Sequence, residues 1–150
     1  MAPSFRLRPY RDGDEDAAIA LWLDTWSQAY PDIDFAARLT WWRARWRDEL
    51  VPYARIVVAE SEAAALAGFV TIDDTGYLDQ LVVAPEHWGG GLAAALVGEA
   101  KRLAPSGVSL TVNADNARAI RFYEKAGFCD EGGDVNPLSG RAVRRMAWRP

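Results

Sequence analysis

Hydrophobic residues recur with two different periods in the first third of the chain, and each period predicts a different element. The segment Phe5 to Arg8 alternates apolar and charged residues, which predicts a β-strand. From Ala18 to Ala29 the apolar residues recur every three or four positions, which predicts an amphipathic helix; Phe35 to Trp46 repeats that spacing, with arginines interleaved. A proline follows each of the three segments: Pro9, Pro31 and Pro52. The chain is therefore expected to begin with one strand and two helices.

The middle of the chain has the composition of β-strands. Three apolar segments follow one another at Ile56 to Glu60, Ala67 to Ile72 and Tyr77 to Val83. The last two are separated by Asp73-Asp74-Thr75-Gly76, which is typical of a hairpin turn. We expect a meander of three antiparallel strands here.

The last third alternates helical and strand patterns. The pattern predicts a helix over Leu92 to Leu103 and a strand over Val108 to Val112. A further helix follows, which Asn116 caps and Gly127 ends. The chain is then expected to form an antiparallel pair of strands over Phe128 to Glu131 and Val143 to Trp148, separated by a polar loop from Gly132 to Gly140. Only the part around residues 77 to 112 has the strand–helix–strand order of a parallel crossover. The fold class expected is mixed α/β, with a largely antiparallel, twisted central sheet of about seven strands flanked by four helices.

Composition narrows the classes of function. The 150 residues suit one domain, residues 1-150, and a net charge of −4 argues against nucleic acid or an anionic membrane as the partner. The single cysteine rules out an internal disulfide framework, and the single histidine rules out a zinc site built on several histidines. The first ten residues have no apolar signal core, and no apolar stretch is long enough for a membrane helix. We expect a cytoplasmic protein.

Three consecutive glycines, Gly89-Gly90-Gly91, stand between a predicted strand and a predicted helix. Glycines let backbone approach a ligand closely, and the unpaired amides at a helix N-terminus favour an anion, so the pattern indicates a phosphate or pyrophosphate. Gly89-x-Gly91-x-x-Ala94, with Asp115 downstream, also matches a dinucleotide fingerprint, but the first half of the chain lacks the repeated strand–helix–strand units of that fold. No Gly-Lys-Ser/Thr follows, which excludes a nucleotide P-loop. A turn that merely packs the helix against the sheet is the remaining alternative.

A second segment decides between these ligands. The segment from Val112 to Phe128, VNADNARAIRFYEKAGF, resembles the C-terminal signature of the GNAT superfamily of acyl-CoA-dependent N-acyltransferases, and Val83 to Ala93 resembles that superfamily's coenzyme A pyrophosphate loop. The two motifs stand in the family's order and at about its spacing, and the resemblance covers nearly the whole chain. One position departs from the family pattern, because Trp88 stands where the loop usually begins with Arg or Gln.

The resemblance implies a GNAT-like fold and acetyl-CoA as the donor. The amides from Gly89 to Ala93 would hold the pyrophosphate. The strand before the loop would pair with the pantetheine arm, and one amide of Leu81, Val82 or Val83 would polarise the thioester carbonyl. The full set implied for the cofactor is Leu81, Val82, Val83, Trp88, Gly89, Gly90, Gly91, Leu92, Ala93, Asn116, Ala119 and Tyr123.

Two residues are candidates for proton transfer. Tyr123 matches the family tyrosine near the cofactor sulfur, where a phenol can protonate the departing thiolate; alternatively it is a core aromatic of an amphipathic helix. Asp79 is a candidate base, placed by strand period on the same face as Tyr77 and Leu81; alternatively it is a salt-bridged strand residue.

The acceptor pocket is expected among aromatic residues. In GNAT proteins the first two helices and their connection shape that pocket, which points to Trp26, Tyr30, Trp42 and Trp46. Tyr77, on the predicted strand that carries Asp79, is a further substrate-binding candidate. Core packing is the alternative for most of the tryptophans. His87 is given no catalytic role, and Cys129 is expected to be a buried, inert thiol.

The function expected is transfer of an acetyl group from acetyl-CoA to a primary amine, by direct attack in a ternary complex and without a metal. The acceptor would be a small molecule, an amino acid or a peptide N-terminus. Two alternatives stay open: an acyl-CoA-binding regulatory protein without acceptor chemistry, and a protein-lysine acetyltransferase. A homodimer is conceivable by analogy with the family.

Overall fold

The computed structural model describes residues 4–150 of the chain. In that range the strands are β1 (Phe5–Pro9), β2 (Ala54–Ser61), β3 (Leu66–Asp73), β4 (Leu78–Val83), β5 (Val108–Asn113), β6 (Cys129–Val135) and β7 (Ala142–Trp148), and the α-helices are α1 (Glu15–Ala29), α2 (Leu39–Arg45), α3 (Leu92–Leu103) and α4 (Ala117–Lys125). No helix within residues 4–150 is both long enough and apolar enough to cross a membrane.

The strands form two antiparallel sheets. The first sheet has the order β1-β2-β3-β4 and the second has the order β5-β7-β6. A parallel bridge between Tyr77 and Ser109 joins them, and the Ser109 amide donates to the Gly76 carbonyl at 2.8 Å. Beyond that bridge β4 and β5 diverge, and no ladder pairs them elsewhere in the described residues. The mixed α/β class is confirmed; the predicted central sheet is divided by an opening between β4 and β5, which we call the cleft.

Two hydrophobic cores lie on opposite faces of the first sheet. Val57 and Ala59 of β2 belong to one core and Ile56 and Val58 to the other, because successive side chains of a strand point to opposite faces. The aliphatic core lies beneath α3 and α4 and includes Val70, Ile72, Leu78, Leu92, Leu96, Val97, Ala100, Leu110, Tyr123, Phe128 and Met146. The aromatic core lies beneath α1 and α2 and includes Ala18, Ile19, Leu21, Trp22, Phe35, Trp42, Trp46, Leu50 and Phe69.

The second predicted helix is broken into three short pieces. A 3₁₀ turn at Ala36–Arg38 precedes α2, and a π-helical turn at Trp46–Leu50 follows it. In that turn the Val51 amide donates to the Trp46 carbonyl, five residues back, at 2.9 Å. Trp46 and Leu50, which are four residues apart, both lie in the aromatic core.

The final hairpin differs from its prediction in two ways. β6 continues to Val135, so the first four residues of the predicted loop from Gly132 to Gly140 are strand. A bulge lies at this point, where Gly132 adopts a φ of +119°. Cys129 is exposed and not buried as predicted, because β6 is the outer strand of the second sheet.

Candidate active site

The glycine loop leaves a run of backbone amides without partners. Gly91 caps α3 in the left-handed region with a φ of +87°, and Gly89 has a φ of +81°. The Gly90 amide donates to the His87 carbonyl. Within the described residues, the amides of Gly89, Gly91, Leu92, Ala93 and Ala94 have no backbone acceptor, as expected at the start of a helix. These unpaired donors, together with the positive end of the α3 dipole, suit an anion.

Trp88 ties this loop to the end of β4. Its indole N–H donates to the Val83 carbonyl at 2.8 Å, while 40% of the residue surface remains exposed. The side chain at the position where the family pattern has Arg or Gln therefore fastens the loop to the strand.

The edge of β4 that faces the cleft also carries unpaired amides. The Ala84 amide donates to the Ala67 carbonyl at 2.8 Å, and a Cβ built on Gly68 would lie 2.7 Å from the Val82 carbonyl oxygen. In an antiparallel strand, the backbone N–H and C=O groups of alternate residues point to the same side. The backbone groups of Val82 therefore point toward β3, whereas those of Leu81 and Val83 point into the cleft. Of the three amides predicted to polarise a thioester, the Val82 amide is therefore committed to β3, and two remain open.

A bulge in β4 changes which face Asp79 occupies. Ile72 pairs with Leu78 and Val70 pairs with Leu81, so Asp79 and Gln80 together oppose Thr71. The Gln80 amide donates to the Thr71 hydroxyl at 3.0 Å, which fixes the bulge. Leu78 and Leu81 both pack on the aliphatic core. The prediction that Asp79 shares a face with Leu81 was wrong, because the extra residue of a bulge reverses the period-two alternation.

Asp79 points instead toward the helices that cover the aromatic core. Arg45 at the end of α2 donates to both carboxylate oxygens, at 3.0 and 2.5 Å, and Gln80 donates a third hydrogen bond at 2.9 Å. The Asp79 carboxylate raises the pKa of Arg45, so this cation stays charged. The salt-bridged alternative for Asp79 is therefore present; its role as a base stays a prediction.

Tyr123 is buried within the aliphatic core, where its ring packs edge-on against Phe122 and Phe128. Burial raises the pKa of its phenol well above the ordinary value of 10.0. The hydroxyl therefore holds its proton throughout the neutral range, as a proton donor must. Leu81 of β4 packs against the same core, so the Tyr123 ring and the side chain of Leu81 belong to one hydrophobic cluster.

Asn116 begins α4 with a side-chain cap. Its carboxamide oxygen accepts a hydrogen bond from the Ala119 amide at 3.1 Å, so the predicted cap is confirmed. The predicted cofactor contacts of Asn116 and Ala119 stay predictions.

On the acceptor side, Tyr30 connects the two halves of the fold. Its hydroxyl accepts a hydrogen bond from the Asn113 side chain at the end of β5, at 2.9 Å, and its ring stacks on Trp26. The guanidinium of Arg141 lies 5.1 Å from the Tyr30 ring centroid and forms an ion pair with Asp115. Tyr30 therefore contacts both β5, through Asn113, and the turn between β6 and β7, through Arg141.

Tyr77 lies at the closed end of the cleft and outside β4, in the bridge to Ser109. Its hydroxyl lies 3.2 Å from the Thr111 hydroxyl on β5. The hydrogen bonds of Tyr77 and Tyr30 thus reach β5 at Thr111 and Asn113, two residues apart in the second half of that strand.

Four buried polar side-chain atoms have no hydrogen-bond partner in the described residues, and all belong to α1, α2 or the β4 bulge. They are Thr25 Oγ1, Trp26 Nε1, Trp42 Nε1 and Gln80 Oε1. An unsatisfied buried polar group is costly, so each of these atoms is a position at which water or a polar ligand would supply the partner. Trp42 itself is 2% exposed, and its ring is a core residue stacked on Trp22.

The sequence analysis did not predict the contacts of Arg45, Thr111, Arg141 or Asn113. Arg45 and Asp79 are 34 positions apart, and Tyr30 and Asn113 are 83 apart. Their residue types carry no local signal for these contacts. Only the unusual density of tryptophans between residues 22 and 46 marked this region in advance.

Comparison with known proteins identifies the family. The model described as the acetyltransferase (GNAT) family matches residues 16–128. The chain is 36% identical over 81 residues to the peptidyl-lysine N-acetyltransferase YjaB of Salmonella typhimurium, a match covering 53% of this chain and 54% of that protein. It is 32% identical over 106 residues to the spermidine N(1)-acetyltransferase of Vibrio cholerae, covering 61% of each chain. The chain thus spans little more than half the length of these curated relatives.

A solved structure of similar fold was determined with coenzyme A. The PaiA N-acetyltransferase of Thermoplasma acidophilum in complex with coenzyme A superposes with a TM-score of 0.76 at 19% identity, covering 98% of this chain and 99% of that chain. This similarity supports the arrangement of two sheets and four helices.

Proposed function

The chain belongs to the acetyltransferase (GNAT) family, and on that premise we propose that it transfers an acetyl group from acetyl-CoA to a primary amine. The observation that carries the proposal is the row of unpaired amides running from the cleft edge of β4 into the glycine loop. Those amides are suited to a ligand with a phosphate at one end and a carbonyl further along the strand.

The donor fits the residues present. The amides of Gly89, Gly91, Leu92 and Ala93 would hold the pyrophosphate at the start of α3. The pantetheine arm would lie along β4 as an added strand, because the cleft edge of that strand has no partner beyond the bridge. The coenzyme A complex of a structural neighbour is consistent with this assignment.

In the reaction, the amine nitrogen forms a bond to the thioester carbonyl carbon while the carbon–sulfur bond breaks. The Leu81 or Val83 amide stabilises the charge that develops on the carbonyl oxygen. Tyr123 holds a proton that the sulfur takes up as it leaves, and burial keeps that proton in place at neutral pH. The amine loses its own proton to a base, for which Asp79 or a water molecule held near it is the candidate.

The acceptor would approach from the side of α1 and α2, where unpartnered polar atoms and the Tyr30 ring lie. A small amine or a peptide N-terminus would fit the aromatic surroundings. A lysine on a protein is the second candidate, favoured by the similarity to a peptidyl-lysine acetyltransferase. The cytoplasmic location, the absence of a metal requirement and the possible homodimer stay predictions.

The first test is thermal stabilisation by acetyl-CoA, free coenzyme A and NAD. A ligand present at about 100 times its Kd should stabilise the fold by roughly 2.7 kcal/mol. Stabilisation by both coenzymes, but not by NAD, supports the proposal and leads to a thiol-release assay with spermidine, amino acids and a lysine-containing peptide. No stabilisation by either coenzyme at saturating concentration would refute it, whereas coenzyme binding without thiol release on any amine favours the acyl-CoA-binding regulatory alternative.

A further inference from the structure

The glycine loop begins with Trp88, at the position where the family pattern usually has Arg or Gln. Trp88 occupies that position and carries no charge, and its indole N–H is used by the Val83 carbonyl at 2.8 Å. The loop therefore offers backbone amides, but no charge from its own first residue. Coenzyme A carries negatively charged phosphates, so a cation near this loop would add to its affinity.

Arg118, in the first turn of α4, lies beside this loop. Its guanidinium carbon is 5.7 Å from the centroid of the Trp88 ring, although the two residues are 30 positions apart in the chain. The residue is exposed, and within residues 4–150 its guanidinium has no carboxylate partner and no hydrogen bond. The contact with Trp88 thus places a cation next to the amide cradle, with its hydrogen-bond donors unused.

Several other arginines of the described residues are engaged by carboxylates. Arg45 is held by Asp79, Arg102 by Glu99, and Arg141 by Asp115. Arg121, one turn further along α4, is exposed like Arg118 but forms no cation–π contact with Trp88 within the described residues. It provides a control of the same residue type on the same helix.

We propose that Arg118 is a phosphate-binding residue for coenzyme A, held over Trp88 so that it supplies a side-chain phosphate contact that Trp88 does not offer from the first position of the glycine loop. The proposal rests on the proposed function, since it concerns the donor of that reaction. The phosphate is either in the pyrophosphate or on the ribose 3′ position, and the two sources can be separated by experiment. A planar guanidinium with several donors suits either group.

The test is calorimetric measurement of the Kd of coenzyme A for the wild-type chain, Arg118→Ala and Arg121→Ala. At an exposed site, loss of one charge-assisted contact should weaken binding by about threefold to tenfold in Arg118→Ala. Arg121→Ala should bind within about twofold of the wild type. The Arg118→Ala difference should also shrink at high salt, because ions screen an exposed contact.

Repeating the titrations with dephospho-coenzyme A assigns the phosphate. If the penalty of Arg118→Ala disappears with that ligand, the contact is with the 3′ phosphate; if the penalty persists, the contact is with the pyrophosphate. Equal affinities of Arg118→Ala and Arg121→Ala for coenzyme A would overturn the proposal, while leaving the acetyltransferase function intact. Failure of the wild-type chain to bind any coenzyme would instead count against the proposed function itself.

Discussion

The two cores surround the candidate site with different chemistry. On the side of the aliphatic core, the expected donor site consists mainly of backbone amides, joined by a few side chains such as Tyr123, and the packing residues are mostly aliphatic. On the side of the aromatic core, stacked tryptophans pack beneath an Arg45–Asp79 ion pair and several unpartnered polar atoms. The donor is thus expected to bind mainly to backbone groups on the side of the aliphatic core, whereas the acceptor would meet side chains from distant segments on the side of the aromatic core.

The difference has consequences for specificity. Backbone amides are the same whatever the side chain, so a site built from them needs glycines and a helix start rather than particular functional groups. An acceptor site built from side chains can change its ligand by single substitutions. The aliphatic side is thus expected to be common to relatives with different acceptors, and the aromatic side to distinguish them.

The largest expected effect is on the stability of the aromatic side. Trp46 is fully buried, donates a hydrogen bond to the Tyr10 hydroxyl at 3.1 Å and packs edge-on against Phe69. Trp46→Ala should lower the free energy of unfolding by about 3–5 kcal/mol, because it leaves a large cavity. Trp41→Ala, at a position 46% exposed, should change it by less than about 1 kcal/mol. Chemical denaturation measures both, and similar losses in the two variants would contradict the assigned packing.

The largest effect on turnover should come from a substitution on the side of the aliphatic core. Tyr123→Phe removes the hydroxyl while keeping the ring, so turnover should fall about 100-fold while the Kd of acetyl-CoA stays nearly unchanged. Steady-state kinetics and calorimetry measure the two quantities. Unchanged turnover would leave Tyr123 as a core aromatic only.

Tyr123→Phe also tests whether the phenol of Tyr123 is buried, through the pH dependence of stability. The pKa of Tyr123 is raised in the folded state, so above pH 10 the unfolded chain loses this proton while the folded chain keeps it. The stability of the fold should therefore decline as pH rises past 10, by at most about 1.4 kcal/mol per pH unit from this group. Tyr10, whose pKa is also raised by burial, adds to the decline. Tyr123→Phe should make the decline shallower, whereas Tyr53→Phe, at an exposed position, should not.

A smaller effect is expected at the start of α3. Gly91→Ala forces a side chain into a left-handed cap at a φ of +87°, which should cost about 1 kcal/mol of stability and weaken coenzyme A binding by disturbing the amide cradle. Gly98 lies within the same helix, where a Cβ would meet nothing within 4 Å. Gly98→Ala should therefore stabilise the fold by about 0.5–1 kcal/mol without changing the Kd. Thermal unfolding and calorimetry compare the two; equal effects on coenzyme binding would argue against the cradle.

The smallest effect on stability is expected at the ion pair. Asp79→Asn weakens a half-buried pair and should cost about 1 kcal/mol or less. If Asp79 is the base, the pH–rate profile of this variant should lose its acidic limb. Arg45→Gln removes the partner but keeps the carboxylate, so its profile should retain that limb. An acidic limb that survives in Asp79→Asn would leave Asp79 with a structural role and assign proton removal to another group.

Contiguous motifs made much of this protein predictable. The glycine loop and the Asn116 cap each depend on neighbouring residues, whose backbone geometry follows from local sequence. Alternation and helical spacing located the strands and three of the helices, since periodicity directly reflects which face is buried. The position of Tyr123 within a recognisable signature suggested its role before its burial was known.

The bulge in β4 had no local signature. One additional residue opposite Thr71 places Asp79 on the other face of the strand from the one that alternation predicted. Pairing with β3 leaves the Val82 amide unable to polarise a thioester carbonyl in the cleft. Both outcomes depend on the register of two strands.

The sequence by itself therefore determined the fold class, the family, the glycine loop at the start of α3 and the Asn116 cap, because these depend on local backbone conformation and on periodic burial. Only the tertiary structure decided which amides face the cleft, that Arg45 holds Asp79, that Tyr30 reaches Asn113 and that Arg118 lies over Trp88. These contacts join segments far apart in the chain. They arise when strand register and helix packing bring those segments together, and no pattern of neighbouring residues encodes them.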